Sequence, residues 1–265
     1  VKAHACGNDF LIVDAAAIDV AERKDLAVQL CARATGIGAD GVEYLEWTGE
    51  RSGRIQLFNA DGSIAEISGN GTRCVAAWMA WEKHAQAGES LLLETDAGAR
   101  ECRIVGSYLN RFSIEAGMGV PLVSSQAVTL ANGVSIAGAA VSMGNPHFVV
   151  FVEDESFSVA GVDWRSIGRE ICFHADFPRQ TNVEFVRVIS AEEIELRIFE
   201  RGVGPTNSSG TGTCASAAAS IALRGLSPDL LVKAPGGAQR AVWDGGPREM
   251  SLTGPAELIA TGEAF

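Results

Sequence analysis

Polar and apolar positions change rhythm repeatedly along this chain. Residues 1–14 read as a strand entering the loop Cys6-Gly7-Asn8-Asp9-Phe10 and leaving it as a second strand. Residues 21–35 have helical spacing that ends at Gly36, and the loop Gly36-Ile37-Gly38-Ala39-Asp40-Gly41 leads into a strand at 42–47. A strand at 54–59 runs into the turn Asn59-Ala60-Asp61-Gly62-Ser63, and an Ala-rich helix is predicted from about residue 70 to 86. Residues 90–116 alternate as two or three antiparallel strands. The second half opens with strands at about 122–142 and the run FVVFV after Gly144-Asn145-Pro146-His147. A helix is predicted at 163–173, strands at 183–189 and 193–200, and a second Ala-rich helix ending near Arg224. Strand-like pieces at 229–234, 239–243 and 248–253 precede the tail GPAELIATGEAF.

Both Ala-rich helices begin with the same device. Ser68-Gly69-Asn70-Gly71-Thr72 opens the first, and Ser209-Gly210-Thr211-Gly212-Thr213 opens the second. A hydroxyl followed by a Gly-polar-Gly turn lets backbone N–H groups converge at a helix start, where the dipole favours an anion. Strands, this loop, one apolar helix and more strands occur in each half, so the chain reads as a duplicated α+β unit with a cleft between the halves. Strands outnumber helices and follow one another, which argues against a doubly wound sheet. The Gly-rich stretch from Gly117 to Pro121 is the expected boundary, giving halves of 1–117 and 118–256.

Composition narrows the partners. The 265 residues are 47% hydrophobic, enough for a packed core, and the net charge is -12 without any Lys/Arg run. Nucleic acid and anionic membrane are poor partners for such a surface. The longest apolar run falls short of a membrane span, and VKAHACGNDF lacks the form of a signal peptide, so the expected location is cytoplasmic. None of the six cysteines forms a C-x-x-C pair, and they read as small buried apolar residues.

Ten short motifs occur in order: GNDF at 7–10, GIGADG at 36–41, NADGS at 59–63, SGNGTRC at 68–74, GNPH at 144–147, TNVEF at 181–185, ERGVG at 200–204, SGTGTCA at 209–215, PGG at 235–237 and TGPA at 253–256. In this series the chain resembles the diaminopimelate epimerase family of amino-acid epimerases and racemases. The resemblance implies two pseudo-symmetric halves, each a barrel-like mixed sheet around a central helix, with residues 257–265 returning to the first half. It also implies a homodimer, a small amino-acid substrate, and proton transfer at the α-carbon without a cofactor or metal.

Family chemistry uses two cysteines, one per half, and here both positions are serine: Ser68 and Ser209. Cys74 and Cys214 match other family cysteines and are not shifted replacements. A thiol titrates near ~8.5 and falls further at a helix start, whereas water, the nearest reference for an alcohol, lies near ~15.7. That gap of ~7 units is about 10 kcal/mol. Serine keeps the shape of the pocket, so binding should survive better than proton transfer. Pro205 and Asn207 also depart from the family pattern, which fits natural divergence better than a paired substitution made to trap substrate.

The resemblance assigns His147 and Glu200 to the neighbourhood of the acid/base pair, and His147 is a candidate base for serine. Asn8, Asn59, Asn145, Asn182 and Arg201 match substrate-binding positions. Gly69, Asn70, Gly210 and Thr211 lie where the α-carboxylate meets the helix starts. Asn59, Asn145, Asn182, Glu200 and Arg201 correspond to the grip on the distal amino-acid end of diaminopimelate, Arg201 through its planar fork. The reading is therefore an isomerase interconverting LL- and meso-diaminopimelate, impaired at its acid/base positions. The alternatives are a hydroxyamino-acid dehydratase, which relies less on a matched thiol pair, and a non-catalytic amino-acid-binding protein.

Overall fold

The computed structural model describes residues 1–65 and 67–264. Phe265, the last residue of the expected returning segment, lies outside the described residues, as does Glu66. The chain divides into two compact units: Val1–Gly117 with the chain from Thr253 on, and Met118–Leu252.

In the first unit, β1 (Lys2–Ala5) and β2 (Asn8–Asp14) form a hairpin, and α1 (Arg23–Cys31) leads to β3 (Gly41–Trp47). Then come β4 (Ser52–Asn59), the two-residue β5 (Ile64–Ala65), helix α2 (Gly69–Glu82), and β6 (Ser90–Thr95), β7 (Gly98–Tyr108) and β8 (Arg111–Gly117). In the second unit, β9 (Leu122–Thr129), β10 (Ser135–Ser142) and β11 (Pro146–Val152) precede α3 (Trp164–Cys172). They are followed by β12 (Asn182–Ser190), β13 (Glu193–Glu200), the short β14 (Gly204–Thr206) and α4 (Gly210–Arg224). The chain ends with β15 (Asp229–Ala234), β16 (Gly237–Val242) and β17 (Ser251–Ala260).

Strand pairing closes the first unit into a barrel. The order is β1, β2, β3, β4, β6, β7, β8, β17 and back to β1, with β2–β3 and β4–β6 parallel. Such a barrel ordinarily fills its interior with side chains; here α2 packs against β1, β2, β3, β6, β7 and β8. Residues 69–77 of that helix are all buried, and most of them are small: Gly69, Gly71, Thr72, Cys74, Ala76 and Ala77. The second unit repeats the plan: β11–β12 and β13–β15 are parallel, and β9–β10, β10–β11, β12–β13 and β15–β16 antiparallel. Helix α4 packs against β9 to β13, β15 and β16, buried from Gly210 to Ser220. Helix α3 lies outside, its Trp164, Ile167 and Ile171 in a core with Phe148 and Phe185.

Three boundaries differ from the periodicity. Helix α1 stops at Cys31 rather than near residue 35, because Ile37 and Gly38 turn back and donate to the Leu30 carbonyl at 3.0 and 2.9 Å. Helix α2 ends at Glu82, where His84 adopts a left-handed φ of 52°. The final strand begins at Ser251 and takes in GPAELIA, which the sequence alone reads as tail. Its register against β1 pairs Ala3 with Leu258. No helix of the described residues is long and apolar enough to cross a membrane.

Candidate active site

Each unit presents a half-site at the start of its buried helix. In the first, Ser68 is the N-cap of α2, with extended backbone, and its Oγ accepts the Gly71 N–H at 3.1 Å. The first N–H groups of a helix have no carbonyl in a preceding turn, so this end favours negative charge. Beside it, Asn70 Nδ2 donates to Asn8 Oδ1 at 3.1 Å and Asn70 Oδ1 accepts from Arg73 at 2.6 Å. Asn8 Nδ2 in turn donates to Asp40 at 2.7 Å, so the GIGADG loop holds the GNDF turn. Asn59 is exposed at the end of β4 and donates to the Ser63 hydroxyl at 2.9 Å.

In the second unit, Ser209 caps α4 in the same way, its Oγ accepting the Gly212 N–H at 3.2 Å. Asn145 Nδ2 donates to Thr211 Oγ1 at 3.3 Å, the counterpart of the Asn8–Asn70 bond. His147 is buried with both ring nitrogens engaged: Nδ1 with Glu184 Oε1 at 2.7 Å, Nε2 with Asn145 Oδ1 at 3.0 Å. In this arrangement neither nitrogen is available to take a proton from the Ser209 hydroxyl, so the structure does not provide the expected serine–histidine pairing. The Ser209 hydroxyl instead faces Glu200. Burial raises the Glu200 carboxyl above its usual range, opposed by the Thr206 hydroxyl, which donates at 2.6 Å, and by His147 and Ser209. Asn182 Oδ1 accepts the Arg201 N–H at 3.0 Å and so fixes the turn after β13, while the Arg201 side chain is exposed and reaches the Arg179 carbonyl at 3.4 Å.

Two carboxyls that sequence reasoning did not single out lie beneath these helix starts. Glu43 on β3 and Glu184 on β12 are both fully buried. They explain the second glycine of each repeated loop. A Cβ on Gly212 would come within 2.8 Å of Glu184 Oε1, and one on Gly71 would meet Glu43 Oε1 closer still. Burial raises both carboxyls, Glu43 to about 8. His147 pulls Glu184 back down, whereas both Glu43 oxygens lack a hydrogen-bond partner among the described residues. The signal was an acid inside an otherwise apolar strand, VEYL and VEFV, since acids are almost never fully buried unless paired. All six cysteines are buried and free of disulfides, and burial raises the Cys74 thiol strongly, which suits packing rather than acid/base work.

The family model for diaminopimelate epimerase matches residues 1–122 and 139–259. The diaminopimelate epimerase of Moorella thermoacetica is 35% identical over 277 residues, covering 99% of this chain and 98% of that protein. That of Carboxydothermus hydrogenoformans is 36% identical over 280 residues, covering 100% and 98%. Among solved structures, a hydroxyproline epimerase from Agrobacterium vitis with bound trans-4-hydroxy-L-proline superposes with a TM-score of 0.70 at 16% identity, covering 98% of this chain and 88% of that one. That likeness speaks for the fold, whereas full-length identity above a third to named epimerases speaks for descent. The chain belongs to the diaminopimelate epimerase family, an isomerase lineage of two pseudo-symmetric halves, each a barrel-like mixed sheet around a central helix.

Proposed function

We propose that this chain binds LL- and meso-diaminopimelate and interconverts them slowly, with Ser68 and Ser209 at the acid/base positions. The observation that carries the reading is the preserved pair of serine-capped helix starts, each with its polar neighbour held in place. Gly69 and Asn70, and Gly210 and Thr211, line the first turns where a carboxylate is stabilised by N–H groups and dipole. Asn8 and Asn145 orient those turns, and Glu200, Arg201, Asn59 and Asn182 serve the distal ammonium and carboxylate.

The reaction removes the α-proton on one face and returns a proton on the other. A serine hydroxyl is a far weaker acid than a thiol, and the gap of about 10 kcal/mol falls on this step rather than on binding. Both Oγ atoms already accept a backbone N–H, and Ser209 faces a carboxyl whose proton affinity burial raises, so the hydroxyls are held but not activated. Glu200 and His147 then act on charge and position near Ser209. The family habit of assembly carries over as a homodimer in the cytoplasm.

Proton NMR of LL- and meso-diaminopimelate in D2O tests the reading, with the Ser68→Cys/Ser209→Cys chain in parallel. Loss of the α-proton signal is expected to be at least about 10³-fold faster with the cysteines, since each ~1.36 kcal/mol is tenfold in rate. Equal rates would overturn the impairment, and no exchange in either protein would overturn the substrate.

A further inference from the structure

Glu43 lies in the first half-site, and the proposed reaction leaves it without a task. Its carboxyl is fully buried, its oxygens have no hydrogen-bond partner among the described residues, and Oε1 takes the place of a side chain at Gly71 in the first turn of α2. Ser68 Cβ flanks that same point, 3.3 Å from it. Apolar Ile12 and Leu57 stand in register with Glu43 on the neighbouring strands, and its charge reaches Cys74 on α2, on which Arg73, Cys6 in the β1–β2 turn and Asp9 on β2 also act. Arg73 donates to Asn70 and lies against Gly254, and Asp9 is paired with Lys2 and Arg33. Burial is the cause that raises the Glu43 carboxyl.

We propose that Glu43 is a positioning residue whose proton decides whether the α2 helix start receives an anion. Neutral, it leaves the positive end of the dipole to the substrate carboxylate. Ionised, it places its own charge there, and two like charges at one helix end repel. Binding and ionisation at this turn therefore exclude one another, and the carboxylate binds with uptake of a proton by Glu43. The inference rests on the α2 start being a carboxylate seat, as the proposed function has it. Burial holds the Glu43 carboxyl at about 8, so the exchange falls just above neutrality.

Calorimetry of meso-diaminopimelate at pH 7 and pH 9 tests this with the unmodified chain and with Glu43→Gln, which keeps the shape without the charge. The unmodified chain should lose about tenfold more affinity than Glu43→Gln across that range, the comparison cancelling titration of the ligand's own amines. At pH 8, binding to the unmodified chain should take up about half a proton, read from heats in two buffers of different ionisation enthalpy. This second measurement stands even where the variant fails to fold. Equal pH ratios, or no proton uptake, overturn the role of Glu43 while leaving the substrate in place. No binding at pH 7 in either protein overturns the diaminopimelate reading, and the inference with it.

Discussion

The two half-sites carry the same carboxyl at the same register and give it opposite company. Glu43 stands opposite Ile12 on the parallel neighbour strand, and Glu184 opposite Val149. Two residues earlier on those neighbour strands, the first unit has Phe10, opposite Gly41, and the second has His147, opposite Asn182. Phenylalanine offers Glu43 no hydrogen bond, and burial raises its proton affinity with no partner among the described residues to oppose it. Histidine bonds Glu184 at 2.7 Å and passes the connection through Asn145 to Thr211 at the helix start. The direction of the helix-start bond also reverses: Asn70 on the helix donates to the turn in the first unit, whereas Asn145 in the turn donates to the helix in the second. Duplication preserved the scaffold, and one residue per half, Phe10 or His147, decides whether its buried acid is isolated or networked.

Converting the second arrangement into the first gives the largest expected effect. His147→Phe leaves Glu184 buried without its partner, and breaking a buried pair from one side costs about 3–5 kcal/mol. Urea unfolding at pH 7 should show that loss as a lower midpoint with an unchanged slope. An unchanged midpoint would mean that Glu184 needs no partner and that the contrast between the halves has no energetic content.

The next effect lies in the pH dependence of stability. Glu43 has a folded-state value of about 8, above the ordinary carboxyl value of 4.5. Its stabilising contribution is therefore complete below 4.5 and is lost as pH rises through 8. Relative to Glu43→Gln, the unmodified chain should lose up to about 4 kcal/mol between pH 5 and pH 8. Phe10→His, which supplies the missing partner, should flatten the same difference curve. Denaturant midpoints across that range decide it, and parallel curves would place an ionised or solvated carboxyl at residue 43.

Much of this architecture was legible in the chain. The repeated Ser-Gly-polar-Gly-Thr loops located both helix starts, because a hydroxyl cap and glycines before an Ala-rich run have few other uses. The motifs GNDF and GNPH placed Asn8 and Asn145, which both reach those starts. Tertiary partners were not legible. The second glycine of each loop reads locally as turn freedom, but the structure shows it making room for an acid from a distant strand. The sequence offers His147 as a base for Ser209, but Glu184 and Asn145 occupy its two ring nitrogens. Helix ends differ from the periodicity where the chain turns back on itself, as Gly38 does to Leu30, since periodicity carries no record of such caps.

The smallest effect separates the serines themselves. Ser68 and Ser209 make the same cap bond, at 3.1 and 3.2 Å, so Ser68→Ala and Ser209→Ala should each cost about 1 kcal/mol of stability. Ser209 also faces Glu200, and its hydroxyl favours the charged form of that carboxyl. Removing it should move the Glu200 titration upward, visible in carboxyl carbon shifts, while Ser68→Ala leaves that titration in place. If both alanine variants leave Glu200 unmoved, the Ser209 hydroxyl serves the helix alone, and the two serines are equivalent caps. If Glu200 moves only with Ser209, the second half couples its helix cap to an acid, whereas the first holds its acid beneath the helix with no hydroxyl bound to it. A single Ser209→Cys would then meet a carboxyl already placed to respond to its charge, and a single Ser68→Cys would meet Glu43, whose proton is held by burial alone.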